Sequence, residues 1–230
     1  MKSLEDICAS EYSYVPALDE GDNEKAKFIA RTTVNELKTL LGNPPAEKTE
    51  EFLQSVFYLS VFFRVLYDFA ALKELTSPDD WIRNRKSLEA VWVKLCDCKE
   101  RLEFVRSAVV GETVERITND LEGLEAFYVT HFGQGLYVSP VLLVKRAFCT
   151  ICRKDIRCCS HLSGRIYAGR RCAAIPDTIG LEIKSCDLVQ VPRDLRCRIW
   201  PWQVKEDKML GIALLTVFQI DDFIETDEWK

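Results

Sequence analysis

The sequence predicts an α+β protein in which an N-terminal helical bundle is followed by a small cysteine-rich module that contains β-strands. Apolar residues recur with helical spacing over residues 22–132, whereas the later apolar runs are short, rich in Val and Ile, and bounded by Pro, Gly or Asp. Seven of the ten cysteines lie between Cys149 and Cys197. We therefore expect three parts: an N-terminal segment, residues 1–21, that is partly flexible; a helical domain, residues 22–132; and a module, residues 133–230, with an acidic C-terminal tail.

The composition is typical of a folded soluble protein with a substantial core, since 47% of the 230 residues are hydrophobic and 29% are charged. The first 25 residues are acidic and polar, and no basic segment precedes an apolar stretch, so we predict no secretory signal. Ten cysteines without such a signal indicate a reducing compartment, where clustered thiols are more often metal ligands than disulfides. We expect a cytoplasmic protein.

Four helices are predicted in the helical domain, each from apolar spacing and from residues that favour helix ends. The first is capped by Asp22 or Asn23 and stops at Gly42. The third is expected to begin directly at Ser77-Pro78, because a capping serine, a proline in the first helical position and acids in the first turn favour a start there. We place the helices at residues 22–42, about 46–75, from 77 through 105, and 111 to about 131.

The most apolar run, residues 56–72, is shorter than a membrane span and carries Arg64 and Asp68 in its interior. We predict a buried helix with an internal ion pair and no membrane partner. After His131 the helical period disappears, and strands are predicted within residues 181–192 and 196–202. The last apolar run, residues 210–220, suits a strand or a helix that returns to the bundle. The tail after it should be solvated.

A cluster of cysteine and histidine residues carries most of the functional information. Cys149 and Cys152 have the two-residue gap of a zinc knuckle, which lets two thiolates converge on one ion. Cys159 and His161 are two residues apart and project to the same side of an extended strand, and Cys172 follows them. Our first ligand set is Cys149, Cys152, Cys159 and His161, and replacement of Cys159 by Cys172 is nearly as plausible. Cys158 is disfavoured because adjacent cysteines on a strand point to opposite faces.

We expect one structural Zn²⁺ and no catalytic residue. A catalytic zinc keeps an open position and a nearby general base, but Asp155 is the only acid within the motif. A redox role for the Cys149 and Cys152 pair is disfavoured, since no βαβ pattern surrounds it. His131 is expected to cap its helix, and the tryptophans are expected in the core. Trp200-Pro201-Trp202 is an exception that could form a surface with nearby arginines.

The cluster lies in a basic part of an acidic chain. Residues 145–171 carry eight Arg and Lys against one Asp, a local charge of +7, while the remainder carries −12 to reach the total of −5. Such a surface attracts phosphate, so nucleic acid or another anionic partner is expected. The alternative is that the basic module docks on the chain's own acidic helical half. The candidate partner-binding residues are Arg153, Lys154, Arg157, Arg165, Arg170 and Arg171.

Residues 135–200 are similar to a small cysteine-histidine module of uncharacterised bacterial and phage- or mobile-element-associated proteins. The shared residues are C-x2-C at Cys149, C-x-H at Cys159, then Gly164, Tyr167, Gly169 and Cys172, and a later β-segment that ends in Val-x-x-Pro. In that module glycine usually follows the second cysteine, where this chain has Arg153. The resemblance implies a metal module in a phage, mobile-element or bacterial-defence setting and implies no established reaction.

Together these patterns favour a zinc-stabilised binding or adaptor protein without enzymatic activity, which contacts nucleic acid or a protein partner. Two alternatives remain: a subunit of an enzyme complex of nuclease or hydrolase type, and a phage-derived structural or assembly protein.

Overall fold

The computed structural model describes residues 7, 9–44, 49–179 and 181–200 in full, and the backbone alone of residues 202–205, 208–211 and 216–219. Within these residues helices occupy the first part of the chain and strands the second, which confirms the α+β class and its order. The helices are α1 (Glu11–Asp19), α2 (Asn23–Gly42), α3 (Glu50–Thr76), α4 (Arg85–Val105) and α5 (Glu112–Phe132).

Side-chain caps account for the starts of α2 and α3. The Asp22 carboxylate accepts a hydrogen bond from the Lys25 amide at 3.0 Å, and the Thr49 hydroxyl accepts one from the Phe52 amide at 3.3 Å. Each bond satisfies an amide that has no partner inside its helix. The prediction for α2 is therefore confirmed at both ends. Residues 46–48, where the second predicted helix begins, lie outside the described residues.

The predicted start of the third helix is wrong. Residues Trp81–Arg83 form a 3₁₀ turn, and α4 begins only at Arg85. Asn84 is extended, with φ −114° and ψ 115°, and its side chain accepts from the Lys86 amide at 2.9 Å. Because Asn84 provides this cap, the Ser77-Pro78 signal starts a turn rather than the helix.

Helix α1 was not predicted, since it lies in the segment that the sequence analysis set apart as residues 1–21. Its Tyr14 is completely buried, and the Tyr14 hydroxyl donates to the Leu66 carbonyl at 2.6 Å. Ala17 is also buried. Nine residues with an internal proline at Pro16 give little helical pattern, so contacts with α3 stabilise this helix rather than its own sequence.

Helix α3 lies at the centre of the core and contains the predicted internal ion pair. Asp68 is completely buried, and its carboxylate lies 3.4 Å from Arg64 Nε, 3.1 Å from Lys94 Nζ and 2.8 Å from Arg101 Nη1. Among the described helices, α3 alone is long and apolar enough to span a membrane by length and composition, and half of that apolar window is buried. Its interior charge cluster and its packing favour the core helix of a soluble protein.

The described strands form four small antiparallel sheets. They are β1 (Leu136–Val144), β2 (Ala147–Cys149), β3 (Ile166–Tyr167), β4 (Arg170–Arg171), β5 (Ala174–Pro176), β6 (Leu181–Val189), β7 (Arg198–Ile199), β8 (Trp202–Lys205), β9 (Lys208–Gly211) and β10 (Thr216–Gln219). The sheets have the orders β6-β1-β7, β10-β9-β8, β2-β5 and β3-β4.

The long ribbon runs from the pair Tyr137 and Val189 to the pair Val144 and Leu181, with an irregularity after Val141. The described parts of the last apolar run, residues 210–211 and 216–219, belong to β9 and β10, which makes them strand rather than helix. The acidic tail, residues 221–230, lies outside the described residues.

Arginine and tryptophan side chains join the strands to the helices. The Arg198 guanidinium lies 4.8 Å from the ring of Trp92 and 5.1 Å from the ring of Trp200. It also donates to the Phe132 and Gly133 carbonyls at 3.0 and 2.8 Å. Trp200 is only 8% exposed. The expected surface around Trp200 is therefore wrong, because this ring packs in the core; the side chain of Trp202 lies outside the described residues.

The turn between β3 and β4 makes a second contact with the helices. The Ala168 amide donates to Glu50 Oε1 at 2.7 Å. Gly169 is buried with φ +68°, and a Cβ added there would lie 2.5 Å from Leu41 Cδ2. A larger residue would therefore clash with α2 as well as strain the backbone. This turn positions the cysteine-rich segment against the ends of α2 and α3.

Candidate metal centre

A tight turn after β2 places the first two cysteines. The Cys149 amide donates to the Lys154 carbonyl at 2.8 Å, and the Arg153 amide donates to the Cys149 carbonyl at 2.9 Å. Strand β2 pairs with β5, with Cys149 opposite Ala174. The chain therefore folds back on itself within six residues, as a zinc knuckle requires.

The structure brings together Cys149, Cys152, Cys159 and His161, and the four donor atoms all lie within 4.8 Å of one another. Cys149 is buried and the other three are partly buried. The Ile151 amide lies 3.4 Å from Cys149 Sγ and donates to it. Three thiols and one imidazole are a donor set that tetrahedral metal sites in proteins use. These four residues are close enough to hold a metal ion, and they are our first ligand set.

Cys172 is a fifth donor at the edge of this group. Its Sγ lies 3.7 Å from Cys149 Sγ, and the residue is completely buried. Zn–S bonds of about 2.3 Å give tetrahedral S–S edges of about 3.8 Å, which this pair matches. Cys172 nonetheless lies outside the set of four whose donors are all within 4.8 Å of one another. Both ligand sets from the sequence therefore stay open, whereas Cys158 is exposed and outside the group.

His161 is oriented by its neighbours. Its Nδ1 lies 3.8 Å from Cys149 Sγ. The ring of Tyr167 meets the imidazole edge to face, with ring centroids 4.7 Å apart and an angle of 82°. The Tyr167 hydroxyl accepts from the Leu162 amide at 3.0 Å. Tyr167 thus packs against the candidate site and limits the positions that the imidazole can take.

The thiols of the cluster have unequal pKa values. Burial acts to raise the pKa of Cys149, but hydrogen bonds from the Cys152 and Ile151 amides outweigh it and lower this pKa to about 6. Burial, and after it the neighbouring Cys149, together raise the pKa of Cys172 to about 11. The Cys159 pKa is also raised, first by burial and then by Cys149. One thiolate thus opposes ionisation of the others, and a bound cation would remove that opposition.

The group contains no carboxylate. Asp155, the acid of the motif, accepts from Arg157 Nε at 2.9 Å and from Nη2 at 2.6 Å. Hydrogen bonds from Arg157 lower the pKa of Asp155 to about 2. A carboxylate held in this way is a poor general base at neutral pH. The geometry therefore suits a structural ion better than a hydrolytic one.

Arg153 adopts a backbone conformation that favours glycine, with φ +62°. The left-handed region costs a residue with a Cβ about 1 kcal/mol. We therefore expect Arg153→Gly to hold metal more tightly than Arg153→Ala, a matched variant that also loses the guanidinium but keeps the strain. Competition with a chromogenic chelator checks this, with an expected gain in affinity of about 3-fold, since part of the gain is offset by the flexibility of glycine in the unfolded chain. Weaker metal binding by the glycine variant would contradict it.

The six predicted partner-binding residues do not share one environment. Arg157 pairs with Asp155, Arg170 donates to the Thr150 carbonyl at 2.7 Å, and the Arg171 guanidinium lies 4.4 Å from the ring centroid of Phe104. Arg153, Lys154 and Arg165 are exposed, and no described carboxylate lies within 4.0 Å of their charged groups. The position of Arg171 beside α4 was not predicted, since no local signal connects the two segments.

Within the described residues, the cations of residues 145–171 make no ion pair with the helices. Lys145 pairs with Glu182, and Arg157 with Asp155. This segment contacts the helices through the β3–β4 turn and through Arg171 instead. The ion pairs with the helices come from Arg196, later in the chain, which pairs with Asp97 and with Glu100, each at 2.7 Å. The described contacts therefore do not show the acidic helical region neutralising the basic segment, residues 145–171.

Cys96, Cys98 and His131 lie outside the cysteine-histidine cluster. Cys96 and Cys98 are buried on α4, and burial raises the pKa of Cys96 to about 12 and that of Cys98 further. His131 stands in the last turn of α5, where its Nδ1 lies 2.8 Å from the Phe127 carbonyl oxygen and its ring packs on the Phe127 ring at 4.2 Å. These contacts agree with the expected role at the end of the helix.

Comparison of the chain with family models, with curated proteins and with solved structures gave no match. The fold and the site define an α+β protein with a cysteine-histidine cluster that is compatible with metal binding.

Proposed function

We propose that the cluster binds one structural Zn²⁺, and that the folded module acts as a non-enzymatic adaptor that binds nucleic acid. The observation that carries the proposal is the convergence of three thiols and an imidazole within 4.8 Å, with no carboxylate among them. Thiolate and imidazole donors in a tetrahedral arrangement suit zinc, and four protein ligands leave no open position for a reacting water. A reducing cytoplasm, in a phage, mobile-element or bacterial-defence setting, fits this proposal.

The zinc would give rigidity to a segment that has almost no core of its own. Of residues 145–179, only Cys149, Gly169 and Cys172 are buried. A folded turn with so little apolar contact needs a crosslink, and a structural metal supplies one. The ion would therefore fix the turns that carry Arg153, Lys154 and Arg165.

These three cations support the choice of nucleic acid as the partner. They are exposed, they lie on the turns that surround the cluster, and no described carboxylate pairs with them. Contacts between such cations and phosphates do not depend on the base sequence. The affinity that they provide falls as the salt concentration rises, because binding releases counterions from the nucleic acid.

The test measures binding of single-stranded and duplex DNA and RNA by fluorescence anisotropy over a salt series. We expect the triple variant Arg153→Ala, Lys154→Ala, Arg165→Ala to reduce the slope of log K against log salt by about 3 on duplex DNA. The matched control removes three exposed cations from the helical region, Lys25→Ala, Lys86→Ala and Arg106→Ala, and should leave the slope unchanged. Absence of binding at the lowest salt would remove nucleic acid as the partner, and an equal effect of both variants would remove Arg153, Lys154 and Arg165 as its contact surface.

A further inference from the structure

A groove of about 450 Å³ lies between α2, α3, α4 and strand β4, apart from the thiols and imidazole of the candidate metal centre. Four cations line it: Lys38, Arg64, Arg101 and Arg171. Two phenyl rings, Phe57 and Phe104, line it as well. Volumes of this size hold small ligands, which most sites bind with apolar walls and a few convergent polar groups.

The charges of the groove are only partly compensated. Glu100 is its one acidic residue, and the Glu100 carboxylate is already paired with Arg196 Nη2 at 2.7 Å. Arg64 and Arg101 share the single buried carboxylate of Asp68, which Lys94 also contacts. Three cations on one carboxylate leave an excess of positive charge behind the groove, although Arg101 also lies 3.8 Å from Asp97.

Lys38 and Arg171 add cations that no described carboxylate neutralises. Both residues are exposed, and no described acidic group lies within 4.0 Å of either charged group. Arg171 instead packs on Phe104, with its guanidinium carbon 4.4 Å from the ring centroid. The groove therefore presents an anion-binding set of four cations that come from four different elements.

The aromatic walls restrict the kind of anion. Phe57 meets Phe104 edge to face, with centroids 6.1 Å apart and an angle of 85°. Phenyl rings and a guanidinium plane favour a flat, conjugated group, while the cations favour phosphate. Inorganic phosphate would use the cations alone, and an uncharged base would use the rings alone.

We propose that this groove binds a nucleoside phosphate, with its phosphates at Lys38, Arg64, Arg101 and Arg171 and its base against Phe57 and Phe104. The ligand is either a free nucleotide or the phosphorylated end of a strand, since both present the same chemistry. Strand β4 supplies Arg171 next to Cys172, so the site joins the helices to the cysteine-rich module. Lys38, Arg64 and Arg101 are held by helices, so three of the four cations do not depend on the proposed zinc. Arg171 lies in the segment that the zinc would stabilise, and loss of the metal should therefore weaken nucleotide binding no more than Arg171→Ala does. None of the four cations belongs to the surface formed by Arg153, Lys154 and Arg165.

Isothermal titration of the full chain tests the proposal with the four ribonucleoside triphosphates, the corresponding nucleosides and inorganic triphosphate as probes. We expect at least one nucleoside triphosphate to bind about 10-fold more tightly than inorganic triphosphate and than its nucleoside, because only it uses both parts of the groove. Failure of every nucleoside triphosphate to bind, or binding equal to that of inorganic triphosphate, would overturn the proposal.

Variants then place the ligand in the groove. Lys38→Ala and Arg171→Ala should each weaken nucleotide binding about 10-fold, whereas Arg165→Ala, outside the groove, should leave it unchanged. Lys38 is exposed on α2, so its variant remains informative even if Arg171→Ala disturbs the fold. Unchanged affinity of the Lys38 variant would contradict the assignment.

Competition separates the two sources of the ligand. If the strand end is the natural ligand, a 5′-phosphorylated oligonucleotide displaces the nucleotide and its 5′-hydroxyl counterpart does not. If the free nucleotide is the ligand, neither oligonucleotide displaces it. Loss of nucleic-acid binding in the triple variant with retained nucleotide binding would show that the two proposals stand separately.

Discussion

Cys149→Ser is expected to abolish metal binding and to unfold residues 145–179 while the helices remain folded. Cys149 belongs to both candidate ligand sets, and its Sγ lies within 3.8 Å of His161 Nδ1 and of Cys172 Sγ. The segment buries only Cys149, Gly169 and Cys172, so no apolar core replaces the ion. Structural zinc contributes about 10–16 kcal/mol to small zinc-dependent folds. Amide hydrogen exchange should show full loss of protection in this segment and unchanged protection in α3.

Cys158→Ser is the matched control, because this thiol is exposed and lies outside the group of donors. We expect it to keep both the metal and the exchange protection of the wild-type chain. A strong chelator should reproduce the effect of Cys149→Ser. Retention of metal and of exchange protection by the Cys149 variant would contradict the proposed site.

Asp68→Ala is expected to destabilise the helical region by about 2–3 kcal/mol, since the cations that lose their partner are partly exposed to solvent. The substitution removes the buried carboxylate that Arg64, Lys94 and Arg101 share, and leaves three partly exposed cations near one another at the edge of the core. The cost has two parts, the lost attraction of the carboxylate for three cations and the repulsion among the cations that remain. Urea unfolding followed by the helical circular dichroism signal measures the effect as a lower midpoint.

The matched control for this prediction is Asp79→Ala, which removes an exposed carboxylate from the loop before α4. Its expected change is within about 0.5 kcal/mol. Similar midpoints for the two variants would mean that the buried charge cluster contributes nothing to stability.

Local signals explain which helices the sequence predicted. Helices α2 and α5 have clear ends, at Asp22 and Gly42 and at Gly111 and Gly133, and the structure places both helices near the predicted bounds. Helix α1 was missed because its stability comes from Tyr14, which reaches the Leu66 carbonyl 52 residues away. The start of α4 was misplaced because two capping signals compete within eight residues and the second one forms the cap.

The sequence likewise predicted one part of the candidate site and missed another. The spacing of Cys149, Cys152, Cys159 and His161 is local, and the structure brings together the four residues of the first ligand set. The sequence alone gave no measure of how near Cys172 comes to them. The contacts of Arg171 with Phe104 and of Gly169 with Leu41 were also beyond prediction, since each joins segments that are far apart in the chain.

Elemental analysis of the purified chain tests the central claim most directly. The protein is isolated under reducing conditions, without chelator and without a metal-binding tag, and its zinc, iron, cobalt and nickel contents are measured against protein concentration. We predict one zinc per chain for the wild-type and the Cys158→Ser proteins, and none for Cys149→Ser. A wild-type chain that stays free of transition metal even after incubation with zinc salts, and that remains folded over residues 145–179, would contradict the account.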